Sequence, residues 1–104
     1  MFRLVLTGPA LDDLDHIAEY IHTETGSIST AQGFLEKLLA RTRSMAASPF
    51  ELGRPREELG PGIRSTVVGN YLIMTRYQGD VLLVLRYVEG HRALAHLFDE
   101  PPDP

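Results

Sequence analysis

The chain has no cysteine, which excludes a disulfide framework and thiolate metal sites and is compatible with a reducing cytosol. No stretch approaches the ~18 consecutive apolar residues that a membrane span needs. The opening ten residues carry one arginine and a short apolar piece, Leu4-Val5-Leu6, before Gly8 and Pro9 interrupt it. They read as neither a signal peptide nor an anchor, so a cytoplasmic location is expected. Lysine is nearly missing. Lys37 is alone beside nine arginines, a bias that suits planar contacts to carboxylate or phosphate but that a GC-rich genome also produces. Familiar catalytic signatures are missing as well: there is no glycine-rich phosphate loop, no HExxH and no Gly-x-Ser-x-Gly elbow. The histidines, His16, His22, His91 and His96, do not fall at the spacing of a helical metal pair. Only His91, His96 and Asp99 cluster, and they read more simply as surface or capping groups, so neither metal nor cofactor is expected.

What is present fits one small domain. A length of 104 residues with 43% hydrophobic content supports a single modest core. The formal charge of −4 argues against nonspecific attraction to nucleic acid or anionic lipid. That charge is unevenly placed. Asp12, Asp13, Asp15, Glu19 and Glu24 occupy a stretch without Lys or Arg, whereas six arginines lie between Arg54 and Arg92. An acidic partner or a phosphate would be met in the second half, unless both stretches are ordinary solvated faces.

Hydrophobic periodicity orders the chain. Phe2 to Leu6 is short, apolar and β-prone, an opening strand. Pro9 suits the first turn of a helix in which Leu11, Leu14, Ile17, Ala18 and Ile21 recur at helical spacing. Asp12, Asp13, Asp15 and Glu19 are assigned to its solvent side, with first-turn acids complementing the helix dipole. Gly26 ends this helix. A second follows after the capping hydroxyls of Ser27 to Thr30, with Ala31, Phe34, Leu35, Leu38, Leu39 and Met45 on one stripe, and Ser48-Pro49 stops it. So short a link predicts an antiparallel helical hairpin. Gly53, Pro55, Gly60, Pro61 and Gly62 then break regular structure from Phe50 to Gly62. Ile63 to Val68, Tyr71 to Tyr77 and Val81 to Val88 read as three strands joined by glycine-containing hairpin turns. The unbroken apolar run Val81 to Leu85 predicts a strand covered on both faces. The expected fold is a two-layer α+β domain, β-α-α-β-β-β, with the hairpin on a small, mainly antiparallel sheet. It spans residues 1–98, with an acidic, proline-rich tail at 99–104 expected to fray.

Four pieces of sequence in this order carry a resemblance: Ala10-Leu11-Asp12-Asp13-Leu14-Asp15-His16-Ile17-Ala18-Glu19-Tyr20-Ile21, Gly53-Arg54-Pro55-Arg56-Glu57-Glu58-Leu59, Pro61-Gly62-Ile63-Arg64-Ser65 with Gly69-Asn70-Tyr71-Leu72-Ile73, and Leu83-Val84-Leu85-Arg86-Tyr87-Val88 leading to Gly90-His91-Arg92. Together they resemble the RelE/ParE toxin superfamily, in its ParE-like branch. The resemblance implies the toxin of a type II toxin–antitoxin pair that binds DNA gyrase without chemistry of its own. It also implies neutralisation by a cognate, ParD-like antitoxin, itself a small DNA-binding protein, within a hetero-oligomer. Direct sequence-specific DNA binding by the chain is not expected. The alternative is a RelE-like, ribosome-dependent mRNA endoribonuclease. In such enzymes an arginine near the last core strand is followed six positions later by a tyrosine; here Arg92 is followed by Phe98, which has no hydroxyl. His91 and His96 with Arg92 would then be the catalytic candidates. For target binding the candidates are Arg86, His91, Arg92 and Phe98. For antitoxin binding they are Arg54, Arg56 and Arg64, which would meet acidic residues, and Leu11, Leu14 and Phe34 from the two helical stripes.

Overall fold

A computed structural model describes residues 1–90. The expectations placed on His91, Arg92, His96, Phe98 and the 99–104 tail lie outside the described residues. The elements run β1 (Arg3–Leu6), α1 (Gly8–Thr25), α2 (Ile28–Ala47), β2 (Arg54–Pro55), a single 3₁₀ turn (Glu57–Leu59), β3 (Ile63–Val68), β4 (Tyr71–Gln78) and β5 (Val81–Glu89). They form a two-layer α+β fold with the sheet order β1-β5-β4-β3-β2. β1 lies parallel to β5, pairing Arg3 with Val81 through Leu6 with Val84, and every other pairing is antiparallel.

The caps follow the sequence. Thr7 stands at the start of α1 in extended conformation, its hydroxyl accepting from the Ala10 amide at 3.3 Å, with Pro9 in the first turn. Gly26 closes the helix at φ 68°, where a side chain would be strained, and its amide donates to the His22 carbonyl at 2.7 Å. Ser27 caps α2 by accepting from the Thr30 amide at 3.1 Å. Two residues therefore link the helices, and α1 and α2 pack on each other. Because α1 begins at Gly8, Asp12 and Asp13 fall beyond its first turn, and the expected dipole contribution from first-turn acids does not arise.

The main core lies between the hairpin and one face of the sheet. Ala10, Leu14 and Ile17 of α1 and Leu38, Met45 and Ala46 of α2 meet Tyr71, Ile73, Leu82, Val84 and Tyr87. One polar pair is sealed within it. Thr42 Oγ1 donates to the Leu38 carbonyl at 2.8 Å and lies 2.9 Å from the Tyr87 hydroxyl. A threonine has one proton to give, so Tyr87 is the donor to Thr42. On the other face Ile63, Leu72 and Met74 form a second cluster with Leu59, Leu85 and Val88. The residues of β4 thus alternate, Tyr71 and Ile73 facing the helices and Leu72 and Met74 the other side. In the apolar run, Leu82 and Val84 are fully buried while Val81, Leu83 and Leu85 are half-buried, so cover on both faces is only partial.

The segment Phe50 to Gly62 is not wholly irregular: Arg54–Pro55 adds a fifth strand to β3, and Glu57–Leu59 makes a helical turn. Two residues can pair without a recognisable strand pattern, which is why alternation gave no sign of them.

Candidate functional site

β1 ends opposite Val84, so the rest of β5 has no neighbouring strand on that side among the described residues. Backbone groups along such an edge need partners. Helix α1, which packs against β5, supplies them from its first two turns. The Thr7 amide donates to the Val84 carbonyl at 3.1 Å, and its hydroxyl reaches the Val84 and Leu85 carbonyls at 2.9 and 3.2 Å. One turn and a half along, Asp13 accepts the Tyr87 amide on Oδ2 at 2.9 Å. The same carboxylate takes Arg86 side-on, Nε to Oδ2 at 2.6 Å and Nη2 to Oδ1 at 2.9 Å. The Asp13 side chain is 12% exposed and that of Arg86 31%. Hydrogen bonding to Asp13 holds the Arg86 guanidinium above its ordinary pKa, against the opposing effect of burial.

The sheet is shaped for this contact. Across β4 and β5, Thr75 pairs with Val84 but Met74 pairs with Arg86, leaving Leu85 as an extra residue on β5. A bulge of this kind bends its strand and re-aims the next side chain. Here that side chain is Arg86. Asp13, assigned to solvent from its charge, is instead the anchor of the β5 edge. A signal was available: position 13 stands three residues after Ala10 and four before Ile17, both buried, so it flanks the inward face of α1.

A second group of arginines lies where β2 meets β3. Arg56 donates from Nε to Glu58 at 2.8 Å and from Nη1 to the Ser65 hydroxyl at 3.3 Å. The hydrogen bond from Arg56 holds the Glu58 carboxyl below its ordinary range. Arg64 donates to the Gly53 carbonyl at 2.9 Å, approaches Glu51 at 3.5 Å and lies 6.0 Å from the Tyr77 ring centroid. Arg76, on β4, donates to the Pro61 carbonyl at 3.1 Å. Arg54 is exposed, while Arg56 and Arg64 are half-buried by these contacts.

The apolar candidates separate. Leu11 is 50% exposed and remains on the surface. Leu14 is buried among the core residues, so an antitoxin cannot reach it without opening the domain. Phe34 is half-buried with its ring centroid 5.1 Å from that of Tyr71. The structure does not bring Leu11, Phe34 and the β2–β3 arginines into a common hydrogen-bonded or packed cluster. It presents instead a groove of about 550 Å³ between α1 and α2, lined by Asp15, Ala18, Glu19 and His22 on one side and Ile28, Ala31, Gln32 and Leu35 on the other. Ile28, 59% exposed, stands among its lining residues. The sequence predicts exposed grooves beside the hairpin and the sheet, but not these lining residues, because two helix faces form the groove only after the hairpin closes.

A family model described as the ParE toxin of the type II toxin–antitoxin system, parDE, matches residues 4–94. The chain belongs to the ParE toxin family. Among curated relatives, Toxin ParE3 of Caulobacter vibrioides is 30% identical over 95 residues, covering 91% of this chain and 93% of that protein. Among solved structures, one titled as a chromosomal ParDE TA system from P. aeruginosa matches with a TM-score of 0.75 at 23% identity, covering 88% of this chain and 98% of that one. The superposition confirms the ParE-like arrangement of two helices on a five-stranded, mostly antiparallel sheet. Among the described residues, no helix of this ParE-family toxin is long and apolar enough to cross a membrane.

Proposed function

We propose that the chain arrests bacterial growth by binding DNA gyrase, and that a cognate antitoxin silences it. The observation that carries this reading is the ParE family match over residues 4–94. The arrangement of the arginines supports binding over catalysis. A ribonuclease needs cations turned toward the scissile phosphate. Among the described residues Arg86 is bound to Asp13, Arg56 to Glu58 and Arg76 to the Pro61 carbonyl, so each of these three makes a bond within the fold. Target engagement is assigned to the end of the chain, with His91, Arg92 and Phe98. Arg86 leaves that group, because its guanidinium serves Asp13.

The antitoxin is proposed to be ParD-like and to use two surfaces. The α1–α2 groove, with an apolar floor and Ile28 exposed, suits an amphipathic helix. Arg54, the exposed arginine of the β2–β3 group, suits an acidic residue of the same partner. The relative of known structure comes from a system of ParDE type, in keeping with such a pairing. The deciding experiment uses purified toxin released from its antitoxin, with supercoiled plasmid and gyrase. Loss of supercoiling with accumulation of cleaved plasmid is expected. Full gyrase activity in the presence of toxin that still halts growth would refute the target, and ribosome-dependent mRNA cleavage would establish the alternative.

A further inference from the structure

We propose that Asp13 is a positioning residue for the toxic activity: by clamping Arg86 and the Tyr87 amide, it sets the course of β5 up to Gly90, where the target-binding end of the chain is joined. This rests on the reading that the residues after β5 engage the target. Three independent features converge on the clamp. The Leu85 bulge turns Arg86 toward α1. Both Asp13 oxygens are used, with three donors at 2.6 to 2.9 Å. The clamp also acts where β5 has lost β1 as a neighbour, so the last four residues of the strand, Arg86–Glu89, are held by β4 on one side and by α1 on the other. A bidentate pair fixes orientation as well as distance, because the planar guanidinium donates two parallel bonds to the carboxylate in one plane. A strand end held only by β4 would sample more directions, and each would misplace the residues that follow.

Asp13 acts on the strand and not on the target, and this separates the clamp from a direct contact by Arg86. If Arg86 itself bound the target, Asp13→Asn would release it and leave toxicity intact or raised. If Asp13 positions β5 by clamping it, Asp13→Asn and Arg86→Gln should both be harmful, and the double variant no worse than Asp13→Asn. The variants are co-expressed with the antitoxin, purified as the complex, and compared at matched soluble levels. Growth arrest and gyrase inhibition are both read, and antitoxin affinity serves as the control for folding. The expected result is at least a tenfold rise in the toxin level needed for arrest in all three variants, with antitoxin affinity changed less than threefold. Amide exchange provides a readout that needs no target. In Asp13→Asn, the Tyr87 to Gly90 amides should exchange at least tenfold faster while those of Leu82 and Val84 keep their rates. Unchanged exchange at Tyr87, full toxicity of Asp13→Asn, or additive losses in the double variant would each overturn the proposal. Growth arrest that depends on the clamp without gyrase inhibition would leave the clamp standing and refute only the gyrase target.

Discussion

The buried pair Thr42–Tyr87 allows a quantitative test of how the two layers are joined. Thr42 is fully buried and Tyr87 is 2% exposed, so neither hydroxyl can turn to solvent. Thr42→Val removes the acceptor for the Tyr87 proton and leaves a phenol donor without a partner in the core. Leaving a buried polar group unpaired costs about 1–3 kcal/mol. Tyr87→Phe is milder. It deletes the phenol, while Thr42 keeps its bond to the Leu38 carbonyl, so the loss should be that of one ordinary hydrogen bond, about 0.5–1.5 kcal/mol. In the double variant no orphan donor remains. Its destabilisation should fall short of the sum of the singles by about 1 kcal/mol, the signature of two groups acting on each other. Urea unfolding followed by circular dichroism measures all four proteins, with an unchanged slope confirming that only stability moved. In thermal melts the Thr42→Val loss corresponds to about 4–8 °C for each kcal/mol in a domain of this size. Additive single effects, or a Thr42→Val protein as stable as the parent, would show that the hydroxyls do not depend on each other and would refute the argument.

Three other outcomes follow from the same coordinates. Gly33 sits exposed within α2 and a methyl there would meet nothing within 4 Å; Gly33→Ala should therefore raise stability by about 1 kcal/mol, read as a higher urea midpoint. Gly53 has φ +103°, and a Cβ there would lie 3.2 Å from Arg64 Cβ and Thr66 Oγ1 and 3.3 Å from the Ser65 carbonyl. Gly53→Ala should lower stability by about 1–3 kcal/mol, because the backbone conformation is strained for an L side chain and the space is closed; a neutral result would mean that the turn relaxes. Burial pushes Tyr87 above the ordinary tyrosine value of 10.0, and burial with Glu89 and Tyr20 does the same for Tyr71. The folded state then holds these protons more tightly than the unfolded chain. Their contribution to stability is complete below about pH 10 and is lost as pH rises through the folded values. Stability profiles between pH 8 and 11 should fall at the alkaline end, less steeply in Tyr87→Phe.

Much of the fold was legible because local chemistry and global packing agree. Thr7, Pro9 and Gly26 each do at a helix terminus what their backbone preferences favour, and the glycine-containing links set three strands side by side. The stripes on α1 and α2 name most of what the helices contribute to the core, including Ile17, Leu38 and Met45. What local pattern could not settle was which apolar residues stay outside. Leu11 and Leu14 are both leucines of one helix, three positions apart, yet one is half exposed and the other is core. That difference is set by the position of β5 beneath α1, far along the chain. The parallel pairing of β1 with β5 has the same origin: the two strands are separated by the hairpin and the whole meander, and no short-range signal joins them.

The site was less legible because its parts are defined by what the sheet lacks. Asp13 looks like one acid among five between Asp12 and Glu24. It gains a role only because β1 is four residues long while β5 is nine, so the longer strand runs on with an open edge. The edge demands acceptors and donors from whatever packs beside it, and α1 is the element that does. Once Asp13 accepts the Tyr87 amide there, a cation beside it offsets the desolvated carboxylate, and the bulge at Leu85 brings Arg86 into reach. The strand-length mismatch, the acid at an inward-flanking helical position and the arginine after the extra residue are therefore one structural solution. The sequence offers Arg86 as a target-binding candidate. The geometry gives its charge an internal partner, Asp13, which is why the proposed target contacts are His91, Arg92 and Phe98 instead.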